Sequence, residues 1–208
     1  MNVGDKGTVH VVVDLETLNT TSWKPAIFQL GLAAILPDGS KHYWQGTCRY
    51  SVLTADTATW EWWHDTERED LFKFLTADNT NKYSDQEALL MQATKVIRKL
   101  RGDYGIAIYG NSPSFDLTPF HAVLGSGKLP WSFRDEVCLR TIKGLYTWEE
   151  LPNELDFEEL EAILDNPLLV KPYTLKYPLN KLVKHNALYD AAVELEQLIY
   201  MVRAMGRA

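Results

Sequence analysis

Two short carboxylate motifs stand near opposite ends of the chain, Val11-Val12-Val13-Asp14-Leu15-Glu16-Thr17 and His185-Asn186-Ala187-Leu188-Tyr189-Asp190. The first follows an apolar run over residues 9–13 that reads as a buried strand. Side chains alternate across a strand, so Asp14 and Glu16, two positions apart, leave from the same face at its end. Two neighbouring carboxylates repel unless a shared proton or a divalent cation neutralises them, and a cation is the simpler inference.

The second motif opens a helical stretch in which Leu188, Ala191, Ala192, Leu195, Leu198, Ile199, Val202 and Met205 recur at three- and four-residue spacing. On one helix His185 and Asp190 would stand roughly 140° apart around the axis, too far round to meet at one site. His185 is therefore expected before the helix, with Asn186 as its N-cap and Asp190 on the early turns.

These residues need a scaffold, and the composition supplies one. With 208 residues, 46% hydrophobic and 12% aromatic, the chain suits a single domain spanning 1–208 with a sizeable core. No run approaches the roughly 18 apolar residues of a membrane span and the first seven residues are polar, so a soluble cytoplasmic protein without membrane partners is expected. Cys48 and Cys138 fit neither a disulfide framework nor a zinc spacing and are expected as buried free thiols. A net charge of −7 argues against a basic, non-specific nucleic-acid coat, but an acidic metal site adds negative charge that its cations offset locally. Lys171, Lys176, Lys181 and Lys184, just before His185, suit either phosphate contacts or a solvated loop.

Along the chain, strands are expected at 9–13, 26–36 and 42–52, the last two forming a hairpin around Pro37-Asp38-Gly39-Ser40. Residues 56–75 read as one or two short helices, and 84–100 as a helix with a Ser84/Glu87 capping box stopped by Gly102. A strand over 103–109, a tight loop at 110–113, a serine-capped helix over 114–124, a strand at 131–137 and a helix over 139–146 follow. Residues 148–178 are acidic, proline-punctuated and ambiguous. The element order predicts an α/β protein with a mixed five-stranded sheet, three antiparallel strands then parallel ones, flanked by helices; this order matches the ribonuclease H-like fold.

A third acidic motif lies between the first two: Tyr109-Gly110-Asn111-Ser112-Pro113-Ser114-Phe115-Asp116-Leu117. Together the three resemble the DEDD 3'-to-5' exonuclease superfamily, with D-x-E after the first strand, N-x-x-x-F-D on a central helix and H-x-x-x-x-D at the last. The histidine form is indicated, because position 186, where the tyrosine form carries Tyr, is Asn186. With Trp62-Trp63, Leu139-Arg140-Thr141 and His185 through Ala191, the chain is more closely similar to the phage DexA-like exonucleases and the mycobacterial-type 3'-to-5' exoribonucleases, over residues of about 9–200.

The resemblance implies hydrolysis of phosphodiester bonds from the 3' end of single-stranded DNA or RNA, or of a 3' overhang, releasing nucleoside 5'-monophosphates. It implies two divalent ions, magnesium or manganese for hard oxygen ligands, held by Asp14, Glu16, Asp116 and Asp190, with His185 taking the proton of the attacking water. Thr17 and Leu18 would lie beside the terminal nucleotide. Asn111 would touch substrate or cap its turn, and Trp60, Trp62 and Trp63 would stack bases or belong to the core. His10, His42, His64 and His121 are read as structural. The likeness to a phage branch would place a phage-encoded member in the host cytoplasm; a homodimer is left open. A non-catalytic nucleic-acid-binding or interaction module, or an endonuclease on the same fold, are the competing readings. All five catalytic positions are filled, which speaks against the first of these.

Overall fold

The computed structural model describes residues 7–21, 23–65, 68–76, 83–155, 163 and 184–206. Five strands, β1 (Thr8–Thr17), β2 (Ile27–Ile35), β3 (Lys41–Thr47), β4 (Gly105–Gly110) and β5 (Glu136–Cys138), form one sheet in the order β3-β2-β1-β4-β5. β1 pairs antiparallel with β2, and β2 with β3; β4 runs parallel to β1, and β5 to β4. Seven helices flank it among the described residues: α1 (Thr57–Trp63), α2 (Glu69–Thr76), α3 (Gln86–Arg101), α4 (Pro113–Asp116), α5 (Thr118–Leu124), α6 (Leu139–Lys143) and α7 (Ala187–Met205). This is the expected mixed α/β sheet.

Alternation along β1 divides the core. Val9, Val11, Val13 and Leu15 pack with α3 and α5 residues such as Leu89, Ile97 and Phe120, whereas Val12 packs with Leu188, Ala191, Leu195 and other residues of α7. Asp14 and Glu16 continue the Val12 face and so look toward α7. β1 also outruns its parallel neighbour: the last β1 residue paired with β4 is Val13, opposite Gly110, while Asp14 and Glu16 still pair with Gly31 and Gln29 of β2. The acids thus emerge at the carboxyl end of the parallel strands, where open α/β sheets leave a crevice.

Several local expectations need correction. β1 extends through both acids, because pairing with β2 continues beyond the apolar run. β3 stops at Thr47, with a single bridge from Cys48 to Tyr83 beyond it. Asp85, not Ser84, caps α3: its carboxylate accepts the Ala88 amide at 2.8 Å, and the Ser84 hydroxyl donates to that carboxylate at 2.9 Å. The predicted 114–124 helix is two short helices broken at Leu117, led in by Ser112. β5 and α6 are each shorter than predicted, since residues 133–135 form a 3₁₀ turn and α6 ends at Lys143. Cys48 is buried as expected, but Cys138 is only half-buried. Lys171, Lys176 and Lys181, and most of the ambiguous 148–178 region, lie outside the described residues. Among the described residues no helix is long and apolar enough to cross a membrane.

Candidate active site

The approach to α7 is fixed by a polar network of buried residues. Asn186 caps the helix, its Oδ1 accepting the Leu188 and Tyr189 amides at 3.1 and 3.3 Å, and also the Gln45 side-chain amide at 3.1 Å. The Ala187 amide donates to Gln29 Oε1 at 3.0 Å. Gly31 lets this end of the helix lie directly on β2: a Cβ there would stand 2.2 Å from the Ala187 carbonyl group. Since Gly31 pairs with Asp14, the start of α7 is brought to the acids of β1.

His185 precedes the helix, as the spacing required, in the left-handed region at φ 71°, which histidine tolerates better than most residues. Its backbone amide donates to Asp190 Oδ2 at 2.8 Å. That turn overcomes the angular separation a continuous helix would impose. Glu16, His185 and Asp190 each bring a ligand atom within 4.8 Å of the others; Asp14 and Asp116 do not belong to that tight group but act on it electrostatically. Asp116, at the end of α4, accepts the Ser112 amide at 2.9 Å and is 3% exposed. Gly110 makes room for it, because a Cβ at that position would stand 2.8 Å from Asp116 Cβ.

The electrostatics are those of like charges withdrawn from water. Burial, reinforced by Glu16, Asp190, Asp116 and Glu194, pushes Asp14 well above the usual carboxylate range; burial also raises Glu16, with Asp190 and Asp116 adding to it. Burial raises Asp116 and Asp190 to about 7 each, against the opposing hydrogen bonds from Ser112 and His185. His185 moves the other way, lowered by burial and then by Lys184 and Arg68, so its ring holds a free lone pair at neutral pH. Carboxylates in this condition fit divalent cations, which would supply the missing positive charge.

Two cavities flank the cluster. One of about 780 Å³ is lined by Asp14, Asn111, Lys143, His185, Asp190 and Glu194, with Trp148 among the others. The second, of about 360 Å³, is lined by Glu16, Thr17, Trp62, Trp63 and Phe115 with neighbouring residues of β1 and α1.

A model of the Rv2179c-like 3'-5' exoribonuclease domain matches residues 9–201. The chain belongs to that family. It is thus a nuclease domain of the 3'-5' exonuclease kind. A search of curated proteins returns no match. Among solved structures, cell-death related nuclease 4 (CRN-4) superposes with a TM-score of 0.53 at 12% identity, over 97% of this chain and 65% of that one. The zinc-bound E. coli ExoI–ssDNA complex gives 0.51 at 11% identity, over 95% and 41%, and E. coli exonuclease I with a 5cy-dA13 oligonucleotide gives 0.50 at 14%, over 95% and 40%. At these identities the likeness is one of fold, the ribonuclease H-like exonuclease fold. This chain spans about two-fifths to two-thirds of the length of those structures.

Within this exonuclease domain, two of the residues expected beside the substrate are buried. Leu18 has no exposed surface and Trp63 is 1% exposed. Trp63 packs edge-on against Phe28 and donates its indole N–H to the Thr17 carbonyl at 3.1 Å; both side chains belong to a buried cluster with Ala26, Phe28 and Phe72. The Thr17 hydroxyl is committed to the Asn19 carbonyl at 2.6 Å. Trp62 is the open member of the pair, 38% exposed, with Arg68 4.2 Å above its ring and its centroid 4.8 Å from that of His185 at 89°. Asn111 lies in the larger cavity and accepts from Lys143. Sequence reasoning missed Lys143 and Glu194, a buried ion pair at 2.9 Å. The available signal was Glu194 standing four residues after Asp190, on the same helical face; nothing in the sequence pointed to Lys143.

Proposed function

We propose that the chain acts as a single-domain 3'-5' exonuclease on single-stranded RNA or DNA ends, releasing nucleoside 5'-monophosphates with two magnesium or manganese ions. The observation that carries this reading is the meeting of Glu16, His185 and Asp190 within 4.8 Å of one another, with Asp14 and Asp116 acting on the same cluster as like charges. Asp14, Glu16, Asp116 and Asp190 would hold the cations. When bound, these would supply positive charge to the attacking and leaving oxygens of an in-line displacement.

The chain's own residues account for the remaining demands. His185 takes a proton from water as the water oxygen bonds to phosphorus and the bond from phosphorus to the 3' oxygen breaks; the departing 3' oxygen takes a proton from a solvent water and ends as a hydroxyl, and His185 returns its proton to solvent. The Asp190 contact with the His185 amide fixes the backbone from which the imidazole reaches. The cavity beside Trp62 and Phe115 offers apolar walls to the terminal nucleoside, since aromatic faces hold bases without sequence preference.

The test is digestion of end-labelled single-stranded RNA and DNA, linear and circular, with magnesium, manganese or chelator. Stepwise mononucleotide release from linear strands, lost in chelator and lost in Asp14→Ala, is expected. Cleavage of circles, or an Asp14→Ala variant as active as the parent, would overturn the reading. The relative rates on the two polymers identify the preferred substrate.

A further inference from the structure

The cleft that must receive a phosphodiester is itself crowded with acids, and an anion entering it needs a positive group that the acids have not consumed. Lys143, the last residue of α6, lines the same cavity as Asp14, His185 and Asp190 while only 8% exposed. Its ammonium donates to Glu194 Oε1 at 2.9 Å and to Asn111 Oδ1 at 3.4 Å. An ammonium has three N–H groups. Among the described residues two are engaged, which leaves one for the cavity that Lys143 lines.

We propose that Lys143 binds a phosphate oxygen of the substrate, with Glu194 and Asn111 as the residues that position its ammonium. The inference rests on the exonuclease reading above. A purely structural role, pinning α6 to α7, explains the pair less well. Buried ion pairs are often no better for stability than apolar packing, and they stabilise most when every polar atom is satisfied. Here Glu194 Oε2 is buried with no hydrogen-bond partner among the described residues. An apolar pair would join the helices with no such unmet demand. What the ion pair adds is a flexible cation, already stripped of water, held beside the acids. A lysine so placed meets a phosphate as a point charge.

The deciding variant is Lys143→Met combined with Glu194→Gln, which removes both charges and leaves no lone carboxylate buried. The full-length protein is compared with the parent in thermal unfolding, in oligonucleotide hydrolysis, and in magnesium-supported binding of adenosine 5'-monophosphate against adenosine. The double variant should stay folded, lose about 10- to 100-fold in kcat/KM, as expected for one charged hydrogen bond, and lose a similar factor in the preference for monophosphate over nucleoside. Lys143→Arg should restore part of that preference. Parent-like kcat/KM and parent-like preference in the double variant would overturn the proposal and leave Lys143 as a counter-charge to Glu194. Retained activity in Asp14→Ala would instead overturn the exonuclease reading, so the two failures are told apart.

Discussion

The two cavities beside the acid cluster are built on opposite terms. The larger is walled by Asp14, Asp190, Glu194, Lys143 and His185, and burial holds its three carboxyl groups above their usual range until positive charge arrives. The smaller is walled mainly by apolar groups, Trp62, Trp63, Phe115, Leu15 and Ala58, with Glu16 as its one acid. Under the proposed function the polar cavity and the mainly apolar one would divide the work of recognition, the first selecting for charge and the second for the flat face of a base. Changes on the polar side should therefore alter turnover and pH behaviour, and changes on the apolar side should alter affinity.

The largest effect belongs to the polar side. His185→Ala removes the group assigned to take a proton, and kcat should fall by about 10²- to 10⁴-fold while binding of the oligonucleotide changes little. The parent's activity should rise with pH through a value below 6.5, because burial lowers the His185 ionisation from that reference, and this limb should vanish in the variant. Steady-state kinetics across pH tests both statements. A variant with the parent's kcat would remove His185 from the chemistry.

Next comes a stability effect confined to the metal-free protein. Asp116 and Asp190 are raised from 3.8 to about 7 in the folded state, so over that interval the folded chain binds protons that the unfolded chain has released. The stability these groups contribute is fully present below about pH 4 and is lost as pH rises through about 7. His185, lowered on folding, opposes this below its reference of 6.5, but it is one group against several. In chelator, Tm should drop between pH 5 and 8; magnesium should reverse most of the drop at pH 8, and Asp190→Asn should flatten the slope. A Tm that climbs over this interval without metal would contradict the buried-acid account.

The same contrast explains what was legible in the sequence. The five-stranded order, the shared face of Asp14 and Glu16, the Asn186 cap and the position of His185 ahead of α7 all follow from periodicities and capping preferences acting over a few residues, and the structure has each of them. The Ser84/Glu87 box and the unbroken 114–124 helix failed for a related reason. Neighbouring residues offer competing local solutions: Asp85 takes the Ala88 amide in place of Ser84, and the helix breaks at Leu117, whose side chain is fully buried. Lys143 is held by residues 32 and 51 positions away, so no local pattern could announce it. In the same way, nothing in Trp62-Trp63 says which indole turns inward. The sign is set by the Thr17 carbonyl, 46 positions from Trp63, which takes the indole N–H of one and leaves the other at the cleft.

That asymmetry within the tryptophan pair leads to the smallest expected effect. Trp62 borders the apolar cavity and also stands edge-on to the His185 ring, 4.8 Å away at 89°. Base stacking on an aromatic ring is worth about 1–3 kcal/mol, so Trp62→Ala should weaken oligonucleotide binding by roughly tenfold or somewhat more. Trp62→Phe should keep most of the affinity. An oligonucleotide whose 3'-terminal residue lacks its base separates the two roles. If stacking is the function, the parent should bind it more weakly than the intact strand, and Trp62→Ala should bind both alike. If Trp62 serves only to brace His185, Trp62→Ala would lower kcat on both strands while leaving the parent's preference for the intact one, and the apolar cavity would then lose its assignment as the place where the base rests.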